Sequence, residues 1–195
     1  MGSRSSDAYV QTIFIQVKNL YIKHILFCTF MKTGDILLFD ETPTNSCMRM
    51  LDNCIKYCTH SHYSHSAIVI VNPPWDSSLK GTYVWESSFH GTKDPQDGKV
   101  KFGVQLTPLD LYTKRYAGRV KIYCRTPETP CSMFTDAALI AIHKRVYDKP
   151  YDIDPCDWLH ALFRCFRPRR TDTYYCSAFV SYVLTSVGVL APDTD

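Results

Sequence analysis

Apolar residues near the C-terminus recur at three- and four-residue steps. In "DTYYCSAFVSYVL" and just beyond it, Phe179, Val180, Val183, Leu184 and Val187 fall on one face, which predicts a buried helix. Asp172 or Thr173 is placed to cap it, and Cys176 then lies in its first turn. The middle of the chain reads differently. "TGDILLFDE" opens with a turn glycine and becomes an apolar strand over Ile36 to Phe39. "SHSAIVIV" is β-branched, and "GTYVWESS" alternates between two faces. "GVQLTPLDLY" predicts a short strand and a turn, and "GRVKIYCR" a fourth clear strand. Helical spacing returns in "SMFTDAALIAIHKRVYD", with Phe134, Ala137, Ala138, Ile140, Ala141 and Val146 toward the inner side. It is also present after Thr44 or Asn45, with Cys47, Met48, Leu51, Cys54, Ile55 and Cys58 on one face, and in "DPCDWLHALFRCF". Strands sit in the middle and helices toward the ends, so the expected class is α+β rather than alternating βαβ.

The first 31 residues stand apart. Val10, Ile13, Phe14, Val17, Leu20 and Tyr21 share a helical face, while Gln11, Gln16, Lys18, Asn19, Lys23 and His24 argue against a bilayer span. This divides the chain into an N-terminal extension, residues 1–31, and a domain over residues 32–195. Met1, Gly2 and Ser6 fit the N-myristoylation pattern, with Gly2 as acceptor. Short Gly-Ser openings also arise as cloning remnants. "DWLHALFRCFRPRR" interleaves apolar residues with Arg164, Arg167, Arg169 and Arg170. Residues 157–170 therefore read either as a basic amphipathic helix for an anionic membrane surface or as a core helix followed by a solvated loop.

Composition narrows the class. With 195 residues, 45% of them apolar and 21% charged, the chain fits one globular domain with an appendage. A net charge of +3 and the lack of a basic tail or recognition motif give no reason to expect nucleic acid. The nine cysteines are odd in number, contain no CxxC pair and follow no secretory signal. Reduced thiols in a cytosol-like compartment are expected, with membrane or virion association as a further expectation.

Three positions combine into a chemistry. A thiol in a helix's first turn sits at the positive end of its dipole, which favours thiolate. Taken alone, such a cysteine is more often a small core residue. His65 stands at the entrance of a buried strand, and Glu86 lies in the next strand among apolar neighbours. If those strands pair, Glu86 approaches the His65 ring, and Cys176, His65 and Glu86 form nucleophile, base and orienting group. Singly, His65 also reads as a strand-edge histidine and Glu86 as a surface charge. Cys58, His60, His62 and His65 are alternative zinc ligands, but their spacing matches no standard finger.

Six segments in order, "TGDILLF", "SHSAIVI", "VWESS", "GVQLTPLDLY", "YDKPYD" and "YYCSAFVSYVL", give the chain a resemblance to a known family. It resembles the circularly permuted NlpC/P60 group of papain-like proteins. That group includes bacterial hydrolases of the YiiX type and relatives in poxviruses and other large DNA viruses. The match runs from Thr33 to Leu184, and its most specific part is "KPYD" followed by "YYCSAFV" roughly 25 residues later. The order His, Glu, Cys reverses the ordinary papain-like order, as permutation requires.

The resemblance implies a small antiparallel sheet packed against the cysteine-bearing helix. It implies Cys176 as nucleophile, His65 as base, Glu86 as third polar residue and Tyr151 of "KPYD" near the oxyanion site. The activity it implies is that of a thiol hydrolase or acyltransferase on a peptide or lipid acyl substrate, with no cofactor. The His60–His62 cluster and the extension before Thr33 depart from the family pattern. Two other classes stay open: a non-catalytic structural or interaction protein, for instance in a virus particle, and a domain whose cleft only binds a ligand.

Overall fold

The computed structural model describes residues 31–40, 49–50, 53, 56–57, 60–89, 91–115, 120–123, 131–152 and 172–191. The N-terminal helical pattern, Gly2, most of the helix expected after Thr44 and residues 157–170 lie outside the described residues. Among the described residues, five strands form one antiparallel sheet: β1 (Ile36–Phe39), β2 (His65–Val71), β3 (Thr82–Ser88), β4 (Gly103–Pro108) and β5 (Val120–Tyr123), in the order β4-β3-β2-β1-β5. The helices are α1 (Leu109–Arg115), α2 (Asp136–Val146) and α3 (Cys176–Ser186). Register fixes what each face carries. Ile68 lies opposite Trp85, Trp85 opposite Leu106, Val69 opposite Val84 and Glu86 opposite Gln105. Because side chains alternate along each strand, a slip of one residue would exchange the two faces.

One face carries the larger core. Ile68, Ile70, Trp85 and Leu106 pack against Phe179, Val180, Val183 and Leu184 of α3 and against Leu139, Ile142 and Val146 of α2. The α3 residues are those its spacing predicts. Phe179 is fully buried against Trp85, edge to face at 5.2 Å, so truncation to alanine would cost about 3–5 kcal/mol. The other face is a second, smaller core of Leu37, Phe39, Ala67, Val69 and Val84, closed by Met31 and by Leu109 and Tyr112 of α1.

Three expectations are corrected. The turn expected after "GVQLTP" is helix α1, whose Leu109 and Tyr112 lie one turn apart and both face the sheet. The inner side of α2 is Leu139, Ile142 and Val146, whereas Ala137 and Ala141 are exposed. Small alanines tolerate solvent and leave the larger side chains to fill the core. The cap of α3 is Tyr175 in extended conformation with no side-chain hydrogen bond, not Asp172 or Thr173. Residues before it are committed elsewhere: Tyr174 N donates to Pro150 O and Asp152 N to Tyr174 O, while the Thr173 hydroxyl donates to Asp152. Among the described residues, no helix is long and apolar enough to cross a membrane.

Candidate active site

His65 opens β2, and Glu86 lies near the end of the adjacent strand. The β2–β3 pairing that the sequence left conditional is present. It brings His65 Nε2 to 2.7 Å from Glu86 Oε2. Glu86 has no solvent exposure, so its carboxylate needs internal donors. Thr107 Oγ1 donates to Oε1 at 3.1 Å, and the Tyr112 hydroxyl donates to Oε2 beside His65. The ring of Phe39 lies 5.4 Å from the His65 ring and 5.0 Å from Tyr112, which walls the carboxylate off on its apolar side.

With Nε2 directed at Glu86, Nδ1 is the ring nitrogen presented to Cys176. The thiol begins α3, and its Sγ lies 4.0 Å from the carbonyl oxygen of Ser64, the residue just before β2. Burial by itself would push the thiol pKa up. The hydrogen bond to His65, the charge of that ring and the backbone N–H groups of Ser66 and Ser177 outweigh it and bring the pKa below its ordinary value. The Ser177 N–H is one of the donors that an uncapped helix start leaves available, so the missing side-chain cap serves the sulfur. Burial would also lower the imidazole pKa. Hydrogen bonds to Cys176 and Glu86 and their negative charges outweigh that, and hold His65 well above 6.5. The two shifts have opposite signs and one consequence: each favours the thiolate–imidazolium pair over the neutral pair.

Tyr151 belongs to the same corner through its backbone. It bridges Tyr174, two residues before Cys176, and its N–H donates to Phe102 O at 3.0 Å. Its ring lies flat on Phe102, with centroids 5.0 Å apart. Gly103 makes this docking possible. Its φ is 152°, and a Cβ there would overlap the Lys149 carbonyl oxygen.

The residues that sequence reasoning missed are Tyr112 and Thr107. The helical step from Leu109 to Tyr112 was the available signal for Tyr112, and strand alternation with Gln105 for Thr107.

Of the four alternative zinc ligands, the three described ones are not gathered into one donor set. His60 and His62 are exposed, Cys58 lies outside the described residues, and His65 Nε2 is directed at Glu86. The Glu86 carboxylate already accepts from Thr107 and Tyr112. Among the described residues, no group of three or more His, Cys, Asp or Glu side chains is placed to hold a metal ion.

No family model matches the chain, and no curated protein does. Among solved structures, the crystal structure of the metalloprotein YiiX from Escherichia coli O157:H7 is similar at a TM-score of 0.52 and 23% identity, covering 82% of this chain and 67% of that one. The likeness is one of fold: this chain shares with YiiX a mixed α+β architecture, and in this chain His65, at the start of the central strand β2, stands between Cys176 and Glu86.

Proposed function

We propose that the chain is a cysteine-dependent hydrolase or acyltransferase acting on amide or ester bonds, built on a permuted papain-like domain of the NlpC/P60 type. The observation that carries this reading is the single imidazole shared between a buried carboxylate and a thiol of lowered pKa. A surface or core cysteine needs neither partner. The thiolate of Cys176 attacks a carbonyl carbon, a C–S bond forms, and the carbonyl π pair moves onto oxygen. Donors at the helix start, with the Tyr151 hydroxyl, hold that oxyanion. A well-placed donor of this kind contributes about 3–4 kcal/mol. Collapse breaks the bond to the amine or alcohol, which leaves with the proton of the His65 imidazolium. Water or another acceptor then gives its proton to His65 and attacks the thioester, and the C–S bond breaks to regenerate the thiolate. Glu86 holds the ring orientation and balances its charge throughout.

The test is the rate of Cys176 alkylation by iodoacetamide against pH, read at that site by mass spectrometry in wild type and His65→Ala. Wild type is expected to label fast at neutral pH, with a midpoint well below the free-thiol value of about 8.5, and His65→Ala to remove that advantage. Slow labelling, or labelling indifferent to His65, overturns the reading.

A further inference from the structure

The end of the sheet that carries His65 also carries a row of three rings, two of them exposed. His65 opens β2, Ser88 closes β3, and Gly103, paired with Ser88, opens β4. Phe89 and Phe102 therefore lie immediately beyond that same end of the sheet. Phe89 is 60% exposed and Phe102 50% exposed. They meet edge to face at 5.8 Å, and Tyr151 lies parallel to Phe102 at 5.0 Å. The backbone fixes this row to the site. Tyr151 N–H donates to Phe102 O, Tyr151 bridges Tyr174, and the Ser87 hydroxyl donates to Tyr174 O at 2.6 Å, two residues from Cys176. Three rings held by mutual contact lose little freedom when they bind, and the two left open to water, Phe89 and Phe102, gain by being covered.

We infer that Phe89, Phe102 and Tyr151 form an apolar subsite bordering Cys176, which receives an apolar group attached to the carbonyl under attack. This rests on the thiol-hydrolase reading and deepens it, by naming what lies beside the scissile bond. The occupant is part of the substrate because the row is continuous with the nucleophile's own segment: the bridge that seats Tyr151 is the one that leads into α3. Two substrate sources share this chemistry, a straight-chain acyl ester and an amino-acyl ester with an apolar side chain.

The experiment measures kcat/KM for two series of 4-nitrophenyl esters, corrected by the Cys176→Ala background. One series is acetyl, butyryl and octanoyl. The other is N-acetyl-glycyl, -leucyl and -phenylalanyl. In at least one series, kcat/KM should rise about tenfold or more from the smallest to the largest group, as partial covering of several methylenes predicts. Phe102→Ala should collapse that ratio. Phe89→Ala, which removes an exposed ring, should reduce it without disturbing the Tyr151 stack, and cooperative thermal unfolding of each variant establishes that it folds. A rise confined to the straight chains identifies the acyl source, and one confined to the amino-acyl series identifies the side-chain source. Cys176-dependent turnover that is flat across both series, or selectivity unchanged in both variants, overturns the subsite while leaving the hydrolase reading intact. Absence of Cys176-dependent turnover across both series overturns the hydrolase reading and the subsite together.

Discussion

Two buried ionic clusters sit at opposite purposes in this molecule. In one, His65 lies between Cys176 and Glu86 and is held well above its ordinary pKa. In the other, Lys101 is buried against Asp94 at 2.8 Å and Asp97 at 3.0 Å, with its ammonium 4.4 Å over the Tyr147 ring. His143 belongs to this second cluster, and its pKa is lowered to about 4, first by burial and then by the charge of Lys101. It stacks on Trp75 at 4.2 Å and donates from Nε2 to Gln96, which also accepts from Trp75. The amide of Gln96 in turn donates to Asp94. Every partner of the second cluster closes the network on itself, so its histidine is a fixed neutral donor. The first cluster ends on a thiol. Burial lowers both imidazoles; at His65 the thiol and the carboxylate outweigh it, whereas at His143 the charge of Lys101 adds to it.

The sharpest way to break the comparison is to unbalance the closed cluster. Lys101→Met leaves Asp94, which has no solvent exposure, and Asp97 without their cation. A loss of about 3 kcal/mol or more in denaturant unfolding is expected. Cys176 labelling in the protein that remains folded should keep its pH profile. A profile displaced along with stability would mean that the two clusters are one coupled network.

Glu86→Gln acts on the open cluster. It keeps the shape but removes the charge that raises His65. The sign follows from the shifts. A histidine of raised pKa contributes stability in full below 6.5 and loses it as pH rises through the folded value. A thiol of lowered pKa contributes above its ordinary value and loses it as pH falls through the folded one. Glu86→Gln withdraws one of the causes that raise His65, so the folded His65 value should fall. Because the His65 imidazolium is also what lowers the thiol value, the labelling midpoint should move up toward that of a free thiol. An unchanged profile would reduce Glu86 to a packing role.

What the sequence made legible follows the period of its pattern. The strands read clearly because β-branched runs such as Ile68 to Val71 alternate or fill both faces, and α3 read clearly because its apolar residues keep helical steps. His65 and Glu86 could be joined only through a strand pairing, and once that pairing was assumed their proximity followed from alternation. Four features were hidden for physical reasons. The cap of α3 depends on Thr173 preferring Asp152, a partner 21 residues away. Tyr112 becomes a ligand of Glu86 only because "PLDLY" turns helical. The Lys101 cluster joins a loop to the end of α2, and no local rule pairs those segments. Gly103 was unremarkable as a letter, and the close approach of Lys149 gives it meaning only in the fold.

A smaller effect separates the two histidines by pH. The folded pKa of His143, about 4, lies below the ordinary 6.5, so its contribution to stability is complete above 6.5 and lost as pH falls toward 4. His143→Phe keeps an aromatic ring on Trp75 but removes the titration. The denaturant midpoint of wild type should drop between pH 7 and pH 5 by more than that of the variant. Equal drops would assign the acid sensitivity to other groups.

The smallest change is Tyr112→Phe, and it asks what a buried carboxylate owes to each donor. Tyr112 is 3% exposed, and its ring packs on Phe39, a contact that phenylalanine preserves. Only the hydroxyl on Glu86 Oε2 is lost. Thr107 still serves Oε1, and His65 still serves Oε2, so the carboxylate is never stranded. The expected destabilisation is about 1 kcal/mol, the usual net worth of one hydrogen bond. Labelling should move less than in Glu86→Gln, because the charge that raises His65 is intact and the oxygen facing it has lost a competitor. A profile displaced as far as that of Glu86→Gln would mean that the orientation of the carboxylate, set by Tyr112, matters as much as its charge. In that case α1 would be part of the catalytic support rather than a lid on the second core.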